Sequence, residues 1–381
     1  MRRADAISRF ERSFALRLGV SDCVAMSSGR AALYLALRVL ASKSTRRVVI
    51  VPAYTCYTVP AAVVRAGLLA RPCDVDPETL DYDRDALRVA VRDDVLAVVA
   101  TGLYGVPANL RVVRSAASRH GAGVIDDAAQ CFGAAADGRP CGSEGDFGVS
   151  SFGRGKGLST YEGGALVSSD PDGIRSARAM LAAEPAGRVG SVSVALKAAG
   201  YSIFQRPRMY GLLRGIPSLK LGASVFDPGF EVAPMGRFQA ALGLEALAIV
   251  DRVIAAQRQR AAFYLTRLPA ITGLSTPRVA EASHPAWLRF PVLGADRGMR
   301  DRLFASTSTA GLGVSVSYPR ALTQLPQLAS ELADGPMSCP GAEKVAGTIL
   351  TLPTHAAVRV EDQERILELA AAAETAPGRV A

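Results

Sequence analysis

Lys156 is the side chain of this sequence that is best suited to covalent chemistry. It follows the glycine-flanked turn 153–155, and Ser151 lies five residues before it. Upstream, an apolar stretch ends in Asp126 and Asp127. A lysine amine forms a Schiff base with an aldehyde, a serine hydroxyl binds a phosphate, and a carboxylate keeps a ring nitrogen protonated. These side chains predict a site for a cofactor that carries all three groups.

Pyridoxal 5'-phosphate (PLP) is the cofactor that combines those groups, and the composition favours it. The chain has only five lysines against 39 arginines, and an arginine cannot form the imine. Gln130, three residues after Asp127, is placed to reach the phenolic oxygen of the cofactor ring. Taken singly, Asp127 also suits a helix cap or a magnesium ligand, and Gln130 suits an ordinary helix. The order of Asp127, Gln130, Ser151 and Lys156 favours PLP.

Ser28, Gly29 and Arg30 form a second candidate for anion binding, because they end an apolar stretch and open a helical pattern. A glycine lets the backbone approach a phosphate, whose charge the N–H groups of the first helical turn stabilise. A plain turn with a helix cap explains the same three residues. Since ligands lie at the carboxyl ends of parallel strands, we expect Ser28, Asp127 and Lys156 to share one cleft.

The fold class follows from apolar runs that alternate with helical patterns from about residue 24 to residue 170. This alternation predicts an α/β fold, with a large, mostly parallel-sheet α/β/α domain and a smaller C-terminal α+β domain. We place the large PLP-binding domain at 1–240 and the small domain at 241–375. A long helix is predicted from about 237 to 268, and strands at 287–293 and 314–318. Residues 376–381 are predicted to be a disordered tail.

The composition excludes several other classes of protein. Of the 381 residues, 49% are hydrophobic and 21% are charged, which is typical of a globular protein. No uncharged apolar run reaches about 18 residues, and the N-terminus lacks the apolar core of a signal peptide. Six scattered cysteines without a CxxC pair indicate reduced thiols, so we expect a cytoplasmic protein. Three separated histidines argue against a metal centre.

The net charge of +9 is unevenly distributed. The segment 185–224 has no acid and six basic residues: Arg188, Lys197, Arg206, Arg208, Arg214 and Lys220. A basic solvated surface explains this segment, and so does a rim for a diphosphate or a peripheral contact with an anionic membrane. We treat 185–230 as an excursion from the large domain. Nothing in the chain resembles a nucleic-acid-binding module, so we expect no nucleic-acid partner.

These residues also resemble those of the DegT/StrS-type sugar aminotransferases, which are fold-type I PLP enzymes. The resemblance runs nearly end to end, and its most specific part is the set Asp127, Gln130, Ser151 and Lys156. Shorter matches are Ser28-Gly29, Leu103-Tyr104-Gly105, Glu162-Gly163-Gly164, Tyr318-Pro319 and Leu352-Pro353-Thr354-His355.

The resemblance implies that Lys156 carries the cofactor and moves protons, while Asp127 pairs with the ring nitrogen. It further implies that Gln130 faces the ring hydroxyl and that Ser151 holds the phosphate. By the same resemblance we expect a homodimer with shared active sites. The expected reaction converts a keto sugar, in nucleotide-linked form, to an amino sugar with glutamate as the amino donor. It would serve polysaccharide or glycosylated-metabolite biosynthesis.

Two alternatives to this function remain at this stage. One is a sugar dehydratase on the same PLP fold, but relatives of that type replace the lysine with histidine, so Lys156 argues against it. The other is a degenerate PLP-fold protein that acts as a non-catalytic partner.

The sequence departs from the family pattern at the cofactor site. Cys56 stands where the family places an aromatic ring over the cofactor, and Tyr54 or Tyr57 is the candidate replacement for that ring. Arg30 follows Gly29, where the family has a small hydroxyl residue.

A further departure concerns the expected subunit contact. Val232 and Pro234 stand where an asparagine and an arginine of the neighbouring subunit approach the phosphate in the family. Arg30 or Arg237 is the candidate for the positive charge that is missing there.

Overall fold

A seven-stranded sheet lies at the centre of the computed structural model, which describes residues 5–185 and 225–375. The strands in chain order are β1 (Asp22–Met26), β2 (Val48–Pro52), β3 (Leu69–Cys73), β4 (Val95–Thr101), β5 (Gly123–Asp127), β6 (Ala135–Ala136), β7 (Arg139–Pro140), β8 (Phe147–Ser151), β9 (Gly164–Ser168), β10 (Leu274–Ser275), β11 (Ser283–His284), β12 (Phe290–Gly294) and β13 (Ile349–Leu352). The order in the large sheet is β1-β9-β8-β5-β4-β2-β3. Within it, β9 runs antiparallel to both neighbours and the remaining pairs are parallel.

Ten α-helices lie in the described residues. They are α1 (Ala6–Leu18), α2 (Gly29–Ser42), α3 (Thr58–Arg65), α4 (Arg84–Ala90), α5 (Leu110–Ser118), α6 (Pro171–Ala183), α7 (Arg237–Arg267), α8 (Arg297–Thr309), α9 (Pro340–Thr348) and α10 (Val360–Thr375). Every residue of β2 and β4 is buried, as is typical of parallel strands that helices cover on both faces. The predicted α/β class is therefore confirmed.

Strand direction brings the site-bearing segments to one edge of the sheet. β1, β5 and β8 point the same way, so their carboxyl ends, near Ser28, Asp127 and Ser151, share that edge. β9 runs the other way and therefore begins at this edge, where Gly164 pairs with Met26 and Ser151. Three stretches that are distant in sequence thus meet beside the same strand.

The C-terminal part forms a second, smaller layer. β10, β12 and β13 make an antiparallel sheet, and the helices α8 and α10 contact each other beside it. Phe290, Leu303, Leu350 and Ile366 are buried together in its core. The predicted strand at 314–318 is wrong: only an isolated bridge joins Ser315 to Thr351, and Gly311 and Gly313, just before this stretch, both have a positive φ.

The C-terminal part also packs on the large sheet. Leu322, Leu328 and Val345 belong to the same buried cluster as Val49 of β2. On the edge strand β3, the buried Arg71 guanidinium binds two carboxylates, Asp94 at 2.7 Å and Asp334 at 2.6 Å. Its hydrogen bonds and positive charge lower the pKa of both carboxyls. Helix α7 passes through residue 240, where the sequence predicts the boundary between domains.

Two parts of the sequence prediction lie outside the described residues. They are the disordered tail at 376–381 and most of the basic excursion at 185–230, of which only 185 and 225–230 are described. Across 5–185 and 225–375, none of the helices has both the length and the apolar composition needed to cross a bilayer.

Candidate active site

A cleft of about 970 Å³ opens at the edge where β1, β5 and β8 end. All eight residues that the sequence predicts as site residues line it: Ser28, Gly29, Arg30, Cys56, Asp127, Gln130, Ser151 and Lys156. They come from four separate segments, so only the fold brings them together.

Lys156 lies on the loop that follows β8. Its backbone N–H donates to the carbonyl of Gly153 at 3.2 Å, and the loop turns through Gly155, whose φ is +74°. Phe152 is fully buried and packs edge-on against Phe10, which fixes the start of the loop. Desolvation lowers the pKa of Lys156, so its amine loses its proton more easily than an exposed lysine does.

Asp127 ends β5 and is buried against the floor of the cleft. Its carboxylate accepts hydrogen bonds from the Thr101 hydroxyl at 3.3 Å and from the Ala129 backbone N–H at 3.1 Å. Burial raises its pKa, while the Ala129 hydrogen bond and the charge of Lys156 act in the opposite direction. Two donors and a nearby cation thus offset part of the cost that burial imposes on its ionised form.

Asp126 precedes Asp127 but lies outside the group of described residues that line the cleft. Its carboxylate accepts the backbone N–H groups of Gly142 at 2.6 Å and Glu144 at 3.4 Å. Burial raises the pKa of Asp126 to about 7. Of this pair, Asp127 is the acid that faces the cleft.

The N-terminus of α2 meets Ser151 at the cleft wall. Ser28 caps the helix, because its hydroxyl accepts the backbone N–H of Ala31 at 3.2 Å. A Cβ atom on Gly29 would lie 2.7 Å from the Cβ of Ser151, so only glycine allows this close approach without displacement. The N–H groups of the first helical turn have no acceptor within the helix, which makes this end suitable for an anion.

Arg30 lies one residue further along α2, on the same wall. Its guanidinium stacks over the Phe230 ring at 5.0 Å from the ring centroid and lies 4.0 Å from a carboxylate oxygen of Asp227. Arg237, the other candidate cation, is 81% exposed and pairs with Asp5 at 3.4 Å. Among the described residues Arg30 lines the cleft and Arg237 does not.

Gln130 has both ends of its amide engaged. Its Nε2 donates to the hydroxyl of Tyr318 at 2.8 Å, and its Oε1 accepts the backbone N–H of Tyr104 at 3.1 Å. Tyr318 is buried at the cleft wall, and sequence reasoning did not single it out as a site residue. The available signal was the pair Tyr318-Pro319, which matched the family without an assigned role.

Four charged residues among the described lining were also given no site role in the sequence analysis. The acids are Glu162, Asp227 and Glu231, and the additional base is Arg154. The wall therefore presents carboxylates as well as cations.

The sequence matches the DegT/DnrJ/EryC1/StrS aminotransferase family over residues 1–370. The chain belongs to this family. The resemblance inferred from the motifs is thus confirmed, and the protein is an aminotransferase.

Individual relatives agree with this assignment. The chain is 30% identical to the "Erythromycin biosynthesis sensory transduction protein EryC1" of Saccharopolyspora erythraea, covering 90% of this chain and 83% of the relative. It is also 30% identical to the "dTDP-3-amino-3,4,6-trideoxy-alpha-D-glucose transaminase" of Streptomyces venezuelae, covering 90% and 80% respectively. Among solved structures, S. venezuelae DesV in complex with a ketimine intermediate superposes with a TM-score of 0.79 at 26% identity. That superposition covers 98% of this chain and 91% of DesV.

In this aminotransferase a thiol, that of Cys56, stands where the family has an aromatic ring. The half-buried Cys56 thiol lines the cleft and lies 3.0 Å from the hydroxyl of Thr58. Tyr54 and Tyr57, the predicted replacements for the missing ring, are absent from the described lining residues; both rings contact Tyr318 instead. Tyr318 is thus the aromatic residue that stands beside Cys56 in the cleft.

Proposed function

We propose that this aminotransferase binds PLP in the cleft and transfers an amino group from glutamate to a keto sugar, expected in nucleotide-linked form. The observation that carries the proposal is the convergence of Asp127, Gln130, Ser151 and Lys156 with the N-terminus of α2 in one cleft. The name of the S. venezuelae transaminase, which specifies a dTDP-linked amino sugar, supports the substrate class. Polysaccharide or glycosylated-metabolite biosynthesis is the proposed setting.

The donor set fits the phosphate end of PLP. The Ser151 hydroxyl and the first-turn N–H groups of α2 would hold the phosphate, and Gly29 leaves room for this arrangement, where a Cβ would collide. Arg30 would add a positive charge on the same side. The helix dipole disfavours a cation at the N-terminus, so the position of Arg30 costs free energy. A phosphate anion beside Arg30 would offset this cost.

The donor set also fits the ring of PLP. When bound, the cofactor supplies an aldehyde that takes up an amine and a ring that accepts the electrons of the broken C–H bond. Asp127 would keep the proton on the ring nitrogen, and Gln130 would donate to the phenolic oxygen. Cys56 would lie against the ring where the family has an aromatic side chain.

Lys156 would have two tasks in the reaction. Its amine would hold the cofactor in the resting enzyme, and the same amine would take a proton from the substrate carbon and return it on the cofactor side. An ordinary lysine, with a pKa of about 10.4, is protonated at neutral pH and cannot accept that proton. Desolvation in the cleft lowers the pKa of Lys156 and so increases the fraction of neutral amine.

We also propose that two copies of the chain form a dimer with shared active sites. Arg237 supports this idea, because it is exposed at the start of α7, beside the lining residues Gly236 and Gln239. Mixing inactive Lys156→Ala and Arg237→Ala chains would restore one intact site per hybrid dimer if each site uses Arg237 of the other copy. No recovery of activity, or a fully active monomer in light scattering, would contradict the shared site.

The absorbance spectrum of the purified protein tests the proposed function. A visible band that is lost or shifted on addition of glutamate, and restored by a nucleotide-linked keto sugar, is expected. A band that does not respond to amino donors would favour the dehydratase alternative. Absence of any band after incubation with PLP would favour the non-catalytic alternative.

A further inference from the structure

The orientation of the Gln130 amide follows from its contact with the backbone. The Tyr104 N–H can only donate a hydrogen bond, so the atom that faces it at 3.1 Å must be the oxygen, Oε1. Nε2 therefore faces the Tyr318 hydroxyl at 2.8 Å. An amide nitrogen carries two hydrogens, and this arrangement uses one of them and leaves the other for the cleft.

The Tyr104 side of this contact is fixed by the fold. Tyr104 has a φ of +58°, a conformation that non-glycine residues seldom adopt and that surrounding contacts must hold in place. Its side chain is buried, and its hydroxyl lies 2.8 Å from that of Tyr54. The backbone N–H is thus held in one direction.

The Tyr318 side is fixed by contacts with the large domain. The Tyr318 ring lies 5.7 Å from the Tyr54 ring and 5.9 Å from the Tyr57 ring. The Tyr57 hydroxyl exchanges hydrogen bonds with the backbone of Arg320, at 3.0 Å to its carbonyl and 3.1 Å from its N–H. The Tyr318 hydroxyl accepts from Gln130 and bonds to the Cys56 thiol. Desolvation raises the pKa of Tyr318 well above its ordinary value, so it remains a neutral phenol.

We infer that Tyr318, from the C-terminal part of the chain, is a positioning residue that fixes Gln130 as a hydrogen-bond donor toward the cleft. The inference rests on the proposed function, because the acceptor is the phenolic oxygen of PLP. Without the Tyr318 hydroxyl, Gln130 keeps only its contact to Tyr104 and its donor is no longer held in one direction.

The consequence is a change in how the bound cofactor titrates. A hydrogen-bond donor on the phenolic oxygen stabilises the negative charge of that oxygen. The effect is strongest when the nitrogen that joins Lys156 to the cofactor carries no proton, because that nitrogen then does not neutralise the charge. Loss of the donor therefore moves the pH midpoint of the visible absorbance to higher pH, by up to about one unit. Asp127, Lys156 and Cys56, the other titratable groups that face this part of the cleft, are the same in all the variants below.

The test compares Tyr318→Phe with the control Tyr264→Phe, which removes a buried phenol hydroxyl that donates to the Pro353 carbonyl, away from Gln130 and its partners. We expect the midpoint to rise in Tyr318→Phe and to stay at the wild-type value in Tyr264→Phe. Equal midpoints in all three proteins would overturn the inference while leaving the proposed function intact. No band in the wild-type protein would overturn both.

A double variant shows whether Tyr318 acts through Gln130. In a Gln130→Ala background, Tyr318→Phe should produce no further shift of the midpoint, and a full additional shift would overturn the inference. If Tyr318→Phe does not fold, Gln130→Glu replaces it, since a carboxylate offers only acceptors to the cofactor. That variant should raise the midpoint as well, and an unchanged midpoint would overturn the inference.

Discussion

Gly29 and Ser151 face each other so closely that a Cβ atom on the glycine would lie 2.7 Å from the Cβ of the serine. The contact joins the start of α2 to the end of β8, the two elements that would hold the cofactor phosphate. Neither residue can move alone without changing the position of the other.

Gly29→Ala should therefore weaken PLP binding by roughly tenfold or more and lower the free energy of unfolding by about 1–3 kcal/mol. The added methyl group must push the helix end away from Ser151. Gly347→Ala is the matched control, because a Cβ there meets nothing within 4 Å, and it should be neutral or slightly stabilising. Cofactor titration and urea unfolding measure both effects; equal PLP affinity in the two variants would contradict the assignment.

Lys156→Ala should abolish the visible band of the bound cofactor and reduce turnover at least about a thousandfold, since attachment and proton transfer are lost together. Lys344→Ala, an exposed lysine on α9, serves as the control and should behave as wild type. Borohydride reduction followed by peptide mapping checks the site of attachment. An adduct that persists at another lysine would show that Lys156 is not the anchor.

Asp127→Ala should weaken cofactor retention and abolish turnover while the fold is kept. Without this carboxylate the ring nitrogen is not held protonated, so the ring becomes a poor acceptor for electrons. Asp126→Asn, which changes the neighbouring acid outside the cleft, is the control for activity. Normal turnover of Asp127→Ala would move the assignment to Asp126 or Asp146.

Asp126→Asn should also change the pH dependence of stability. In the folded protein the pKa of Asp126 is about 7, and in the unfolded chain it is close to the ordinary aspartate value. Between about pH 4 and 7 the folded state binds the extra proton, so the contribution of this group to stability falls as the pH rises. The asparagine keeps an acceptor for Gly142 without a buried charge.

The variant should therefore be more stable than wild type at pH 8, by up to about 4 kcal/mol, with a much smaller difference at pH 5. Urea unfolding at the two pH values measures this difference. A difference that does not change with pH would show that Asp126 is not the titrating group.

Arg30→Gln should raise the dissociation constant of PLP, and the loss should shrink as the ionic strength increases, because the interaction is between charges. Arg38→Gln is the control, since Arg38 lies on the same helix and stacks on the Tyr34 ring. Neither Arg38 nor Tyr34 is among the described residues that line the cleft. Equal affinities at low salt would indicate that Arg30 does not contact the phosphate.

The residues that line the candidate site could be singled out from sequence because the prediction depends on residue types at short spacing. Ser151 and Lys156 are five residues apart, and Asp127 and Gln130 are three apart, so each pair is visible in one window of sequence. Their common cleft followed from the alternation of strands and helices, which predicts where the carboxyl ends of strands lie.

The contact between Gln130 and Tyr318 could not be predicted in this way. It joins residues 188 positions apart, and it depends on how the segment around Tyr318 docks on the loop after β2. The same limitation explains why the prediction of a stacking role for Tyr54 or Tyr57 was not supported by the cleft lining. That prediction depended only on their closeness to Cys56 in sequence. Their rings turn instead toward Tyr318, a partner that only the folded chain supplies.

Arg71 has a consequence for the way the whole chain folds. Its buried guanidinium binds Asp94 from the first half and Asp334 from the second, so a chain without the second half would lose one of the two carboxylates that compensate this cation. Leu322 and Val345 fill the same core as Val49, so a chain ending near residue 240 would expose that core to water. The large sheet is therefore expected not to fold stably without the C-terminal part of the chain.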